Sequence, residues 1–122
     1  MKKKIIKNKI VRLAELSLKD FMNRSEDTVL SYFGQTPQHW MMLHKVSISY
    51  YKNQTITKSE LRKFIDSSYL TSNLYIDRAI REEYFTILRN PKDKRSIFIL
   101  PQEITLKSFE KFVLQREDIY KI

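Results

Sequence analysis

Tyr84-Phe85-Thr86-Ile87-Leu88-Arg89-Asn90-Pro91-Lys92-Asp93-Lys94-Arg95-Ser96-Ile97-Phe98-Ile99-Leu100 sets a charged centre between two runs of β-branched, aromatic and aliphatic residues. Such runs suit a pleated, half-buried backbone, whereas Asn-Pro favours a turn. The stretch therefore reads as two strands within 84–100. They are joined at a tip where Arg89, Lys92, Lys94 and Arg95 are opposed only by Asp93. A hairpin that projects cations from its end is a wing.

Upstream, Ile56-Thr57-Lys58-Ser59-Glu60-Leu61 contains a capping box, in which the Thr57 hydroxyl accepts a first-turn N–H and Glu60 reaches back to the cap amide. The short helix that follows has Leu61, Phe64 and Ile65 as its apolar edge and stops at Asp66-Ser67-Ser68, residues that prefer turns and caps. Helical periodicity resumes at Tyr69, with Ser72, Tyr75, Ile76 and Ala79 facing inward. Short helix, tight turn and longer helix make a helix-turn-helix beside the wing.

Further upstream, Thr36-Pro37 offers a capping hydroxyl followed by proline at the first helical position. It predicts a helix to about Tyr51 with Trp40, Leu43, Val46 and Tyr50 as its core face. Ser25-Glu26-Asp27 reads as a hydroxyl cap before two acids, and Gly34 as a left-handed stop after Tyr32-Phe33. Between Ile5 and Asn23 the polar residues Asn8, Arg12, Glu15, Lys19 and Asn23 trace one narrow stripe. That leaves Ile6, Ile10, Leu13 and Phe21 on one flank and Val11, Leu18 and Met22 on another, wider than one small domain covers. A homodimer formed through this helix uses both flanks. Packing on its own domain and lying on a membrane surface are the alternatives. A last helix spans about Thr105 to Tyr120, with Phe109, Phe112, Val113 and Leu114 apolar and Arg116, Glu117 and Asp118 solvated.

Twenty-three Lys and Arg against fourteen Asp and Glu give a net charge of +9. The excess is concentrated in residues 1–35 and 52–100, while 101–122 is balanced. A 42% hydrophobic content with 12% aromatic residues excludes a disordered chain, and the length suits one domain. The fold class expected is mainly α with a small β-hairpin. Absence of cysteine removes disulfides, thiol nucleophiles and cysteine-ligated zinc. Lys7, Lys9 and Arg12 interrupt any export-signal core, and no long uncharged apolar run exists, so no membrane association is expected and the location is the cytoplasm, at the nucleoid. His39 and His44 stand five apart, off the same-face spacing of a helical metal pair. Asp77, Glu82 and Glu83 lack a companion nucleophile or histidine. No enzyme activity, cofactor, metal or catalytic residue is expected, and Trp40 reads as core.

Two motifs resemble the MarR family of winged helix-turn-helix transcription regulators. Thr36-Pro37-Gln38-His39-Trp40-Met41-Met42-Leu43 is similar to that family's T-x-x-Q/H-W-x-x-L helix start, and Asn90-Pro91-Lys92-Asp93-Lys94-Arg95 to its D-P-x-D-x-R wing signature. An ungapped frame from Leu61 to Arg95 keeps both in register, so the likeness covers Thr36 to Leu100. Ser67 to Leu74 also resembles the recognition-helix start of some members. Glu83 departs from the family's glycine between recognition helix and wing, and Ala79 from its leucine.

The resemblance implies a dimeric regulator of double-stranded DNA, with residues 1–35 and 101–122 as dimerisation helices and 36–100 as the DNA-binding core, wing included. Recognition helices enter successive major grooves and wing arginines the flanking minor grooves. Ser67 and Ser68 suit phosphate. Tyr69, Thr71, Asn73, Leu74 and Arg78 meet bases or backbone, Asn73 pairing bidentately with adenine, Thr71 or Leu74 touching a thymine methyl, and Arg78 reaching guanine or phosphate. Arg95 enters a narrow minor groove, Asp93 braces its guanidinium, and Arg89, Lys92 and Lys94 neutralise phosphates. Two other functions are open: a winged-helix protein-interaction module using Tyr69, Leu70 and Leu74, and a regulator sensing a small aromatic effector. Lack of cysteine removes the family's thiol-oxidation branch.

Overall fold

A computed structural model describes residues 2–120, with the side chains of residues 118 and 119 outside that description; the solvated Asp118 expected from the sequence falls there. Six helices and one hairpin follow in the order α1 Lys2–Glu26, α2 Thr28–Phe33, α3 Pro37–Tyr51, α4 Lys58–Ile65, α5 Tyr69–Arg81, β1 Phe85–Arg89, β2 Ile97–Pro101 and α6 Glu103–Tyr120. The strands pair antiparallel from Phe85 opposite Pro101 to Arg89 opposite Ile97. An isolated antiparallel bridge joins Thr57 to Phe98 beside the hairpin, the Ile56 carbonyl accepting from Ile99 N–H at 2.9 Å.

Helix starts follow the expected chemistry at three places. Thr36 accepts from His39 N–H ahead of Pro37, Thr57 and Glu60 complete their capping box, and Ser68 accepts from Thr71 N–H. The α2 start differs. Its cap is Asp27, whose carboxylate accepts from Leu30 N–H at 2.9 Å, while the Ser25 hydroxyl donates back to the Phe21 carbonyl within α1. An ionised carboxylate is the better match for the positive end of a helix. Nor is Gly34 left-handed, having φ −88°. A Cβ there would stand 3.0 Å from the Leu30 carbonyl oxygen, a close approach that glycine relieves.

Left-handed backbone appears instead at Asn53, Asp66 and Glu83. Glu83 N–H donates to the Ile80 carbonyl and Tyr84 N–H to the Ala79 carbonyl, which is the Schellman termination of α5. The turn between α5 and β1 thus keeps a glycine-like conformation (φ 63°) although a glutamate occupies it.

The core joins Val29, Leu30 and Phe33 of α2, Met42, Leu43 and Val46 of α3, Leu61 and Ile65 of α4, Ile76 and Ala79 of α5, Phe85 and Ile99 of the hairpin and Phe112 of α6. Two expected core residues lie outside it, Tyr50 at 42% exposure and Phe64 at 41%. Each sits one helical step off the buried line, and Phe64 lies under the Lys45 ammonium, 5.0 Å from its ring centroid. In α6, Val113 and Leu114 are also exposed. Helix α1 contributes no buried residue at all. It packs along α6 and α2, yet Ile5, Ile6, Ile10, Leu13, Leu18, Phe21 and Met22 are all more than half exposed.

Candidate nucleic-acid interface

The wing tip is held by its own side chains. Asn90 Nδ2 donates to Ser96 Oγ at 3.0 Å across the turn, and Asn90 Oδ1 accepts from Lys92 N–H. Asp93 accepts from the main-chain N–H of Arg95 at 3.0 Å. The carboxylate therefore braces the turn's backbone rather than the guanidinium expected from the sequence. Two residues is the reach of an Asx turn, and the Arg95 amide is the nearer donor. Pro91, Lys92, Asp93, Lys94 and Arg95 are all exposed, as is Arg89 at the end of β1.

Helix α5 divides into three faces. Ser72, Ile76 and Ala79 are fully buried. Leu70, Leu74, Arg78 and Arg81 recur every three or four residues on the opposite face and are exposed, Leu70 at 80%. Tyr69, Asn73 and Asp77, four residues apart, form a flanking ridge that α4 grips. Lys58 Nζ reaches Asp77 at 2.6 Å, Arg62 Nη1 donates to Asn73 Oδ1 at 3.2 Å, and the Arg62 guanidinium stacks 4.5 Å from the Tyr69 ring centroid. Near the helix start Ser67 and Ser68 are exposed, and the Ser68 hydroxyl also donates to Thr71 Oγ1 at 2.8 Å.

Among the described residues ion pairs join only Lys58 to Asp77 and Lys107 to Glu103. Arg78, Arg81 and all four wing cations are left without a carboxylate partner, and Arg78 does not pair with Glu82 four positions on. Arg78 instead makes its charge felt behind α5, where it disfavours protonation of His39 and opposes the burial that raises Tyr32. His39 is buried, its Nδ1 2.8 Å from Thr36 Oγ1 and its ring 3.9 Å from that of Tyr75. Burial first, and Arg78 second, hold its pKa below the usual histidine value. Tyr32 donates to the Tyr75 carbonyl at 2.7 Å, and burial pushes its pKa up to about 12. His44 bonds the Trp40 carbonyl at 2.7 Å, so one histidine is engaged by the α3 cap and the other within the helix. Trp40 is half-buried against Phe112, with Arg24 over its face at 4.8 Å.

The expected contacts thus fall into three groups. Leu74 and Arg78 lie on the open face of α5 and Arg89, Lys92, Lys94 and Arg95 on the wing; Tyr69 and Asn73 lie on the ridge held by α4; and Ser67, Ser68 and Thr71 gather at the start of α5. Sequence reading missed Arg81, which the spacing Leu70, Leu74, Arg78 extends, and Arg62, whose reach to α5 depends on how the two helices cross.

No protein-family model and no curated protein sequence matches the chain. Solved structures do. A transcriptional regulator from Thermotoga maritima superposes with TM-score 0.61 at 22% identity, covering 87% of this chain and 70% of that one. The MepR–DNA complex of S. aureus gives 0.63 at 16%, covering 86% and 83%. A MarR-like transcription regulator from Bacillus cereus gives 0.55 at 14%, covering 94% and 78%. No helix among the described residues is long and apolar enough to cross a membrane. The six helices and the cationic hairpin make this chain a winged helix-turn-helix protein with the fold of the MarR-type transcription regulators.

Proposed function

We propose that the protein is a dimeric, sequence-specific regulator that grips double-stranded DNA with helix α5 in the major groove and the wing in an adjacent minor groove. The observation that carries this reading is the set of exposed cations without carboxylate partners on two neighbouring elements, Arg78 and Arg81 on α5 and Arg89, Lys92, Lys94 and Arg95 on the wing. A solved structure of the same fold is a complex with DNA. Cations of this kind supply affinity by releasing counterions, while α5 side chains supply base preference. Leu70 and Leu74 suit thymine methyl groups, Arg78 and Arg81 guanine or phosphate, and Ser67, Ser68 and Thr71 the backbone at the helix start. Arg95 on its braced turn enters the minor groove.

Dimerisation rests on α1. A 25-residue helix with no buried residue and apolar side chains more than half exposed is not a stable surface for an isolated chain. A second copy covers both flanks and spaces two α5 helices about one DNA turn, roughly 34–36 Å, apart. Residues 1–35 and 101–122 then serve assembly and 36–100 DNA binding, at the nucleoid.

The test is a fluorescently labelled AT-rich duplex titrated with protein at several salt concentrations. Binding at micromolar protein that weakens linearly on a log–log salt plot is expected, with Arg95→Ala lowering the slope by about 1. No salt-dependent shift at low ionic strength ends this reading. A protein-interaction module has one observation in its favour, the exposure of Tyr69 (69%), Leu70 and Leu74; a stable protein partner held without nucleic acid would select it. A ligand-responsive regulator has another, an apolar groove of about 480 Å³ lined by Tyr51, Phe109, Glu110, Val113 and Leu114; NadR has been solved with 4-hydroxyphenylacetate.

A further inference from the structure

We propose that Arg62 is a positioning residue that sets base preference, by holding the Asn73 carbonyl so that Asn73 reads DNA as a hydrogen-bond donor only. The inference rests on the DNA-binding reading above.

A free asparagine amide recognises adenine with two bonds, its NH₂ giving to N7 and its carbonyl taking from the N6 amino group. In this protein the carbonyl already accepts from Arg62 Nη1 at 3.2 Å. The donor is a guanidinium, always charged and without an acceptor, so the bond fixes the amide orientation: Oδ1 toward Arg62, Nδ2 away from it. The same guanidinium lies over the Tyr69 ring at 4.5 Å, and Tyr69 precedes Asn73 by one helical turn. One half-buried arginine on α4 is thereby locked at two points of the α5 ridge. Beside it, the Lys58–Asp77 pair ties α4 to α5 at a second point, 2.6 Å between Nζ and Oδ1.

The oxygen keeps a second lone pair, but the Arg62 bond turns it toward α4, so the amide presents Nδ2 to the groove and Asn73 keeps only the bond to purine N7. Adenine and guanine both present N7 in the major groove, and what separates them at the neighbouring position, an amino donor on adenine and a carbonyl acceptor on guanine, goes unread. The position read by Asn73 should therefore accept either purine. Freeing Oδ1 should turn it into an adenine position.

The experiment selects binding sites from a duplex pool with a randomised centre, using the wild-type protein and the variants Arg62→Met, Arg62→Lys and Asn73→Ala, each checked for wild-type thermal unfolding. Asn73→Ala identifies the position concerned as the one whose preference disappears. At that position the wild type should favour adenine over guanine by no more than about threefold. Arg62→Met should raise the ratio at least about fivefold, the lower end of what a bidentate pair discriminates. Arg62→Lys, which keeps the charge but lacks the planar fork that spans Tyr69 and Asn73, should move preference the same way and leave the salt dependence unchanged. Replacing the purine by its 7-deaza analogue should weaken wild-type binding at this position. A wild-type protein that already selects adenine, or Arg62 variants that weaken binding to all sequences alike without altering preference, overturns the proposal and makes Arg62 a phosphate contact. Failure to select any sequence would overturn the DNA-binding reading itself, a result distinct from both.

Discussion

Glu83 is the residue at which local chemistry and fold disagree most. It holds φ 63° at the end of α5, a conformation costing a side-chain-bearing residue about 1–2 kcal/mol, whereas Asn53 in the equivalent place after α3 tolerates it. Glu83→Gly should raise stability by about 1 kcal/mol after glycine's own entropy is deducted, and Asn53→Gly by only a few tenths. Paired urea melts of both variants check this, and equal effects would show that the left-handed turn is unstrained. Ser72 offers a second residue-level measurement. It is fully buried with a hydroxyl oxygen that has no hydrogen-bond partner, so Ser72→Ala should be neutral or stabilising by up to about 1 kcal/mol. Residue identities made several such positions legible in advance: Thr36, Thr57 and Ser68 cap because a hydroxyl before a helical run has few other uses. Gly34 misled, since a glycine after a helix end serves either φ or space, and only the Leu30 carbonyl 3.0 Å from its missing Cβ shows which.

Between elements, the contact of α2 and α3 with α5 carries a pH dependence of two signs. His39 has its pKa depressed in the folded state, so below about pH 6.5 the unfolded chain takes up the proton first; stability present above that pH falls as pH drops through the folded value. Tyr32 is the opposite case. Its folded pKa of about 12 exceeds the ordinary 10, so its contribution is whole below pH 10 and is lost as pH rises toward 12, about 2 kcal/mol after solvent screening is deducted from the full conversion of about 2.7 kcal/mol. Unfolding measured from pH 5 to 11 should show both losses, with His39→Gln flattening the acid side and Tyr32→Phe the alkaline one; unchanged profiles would remove these groups as the cause. Elements were the most legible level. The β-branched and aromatic runs on either side of Asn90-Pro91 read as a hairpin, and periodicity named the buried face of α5 but that of α3 only at Leu43 and Val46. What stayed hidden was lateral: Phe64 and Tyr50 miss the core by one step, and Arg62 meets Asn73 because α4 crosses α5 at a register that periodicity does not encode.

For the whole molecule, the proposed dimerisation rests on the exposed apolar flanks of α1. Leu18→Glu, on a residue 61% exposed in the single chain, should shift the protein to monomer in sedimentation equilibrium and weaken DNA binding by at least about tenfold, because one reader then loses the aid of its tethered twin. A dimer that survives this change would place the interface elsewhere. The width of the apolar surface was readable from the narrow polar stripe of Asn8, Arg12, Glu15, Lys19 and Asn23. Which copy or element covers it was not, because a helical pattern reports that a face is apolar and not against what. The central claim, that α5 and the wing of each protomer hold one duplex together, is most directly met by dimethyl sulfate footprinting of a selected site, since the reagent marks guanine N7 in the major groove and adenine N3 in the minor. Protected N7 positions in two patches about 10 base pairs apart, each flanked outward by protected adenine N3, are the predicted result. Protection confined to one groove, or to one patch without flanks, would contradict it.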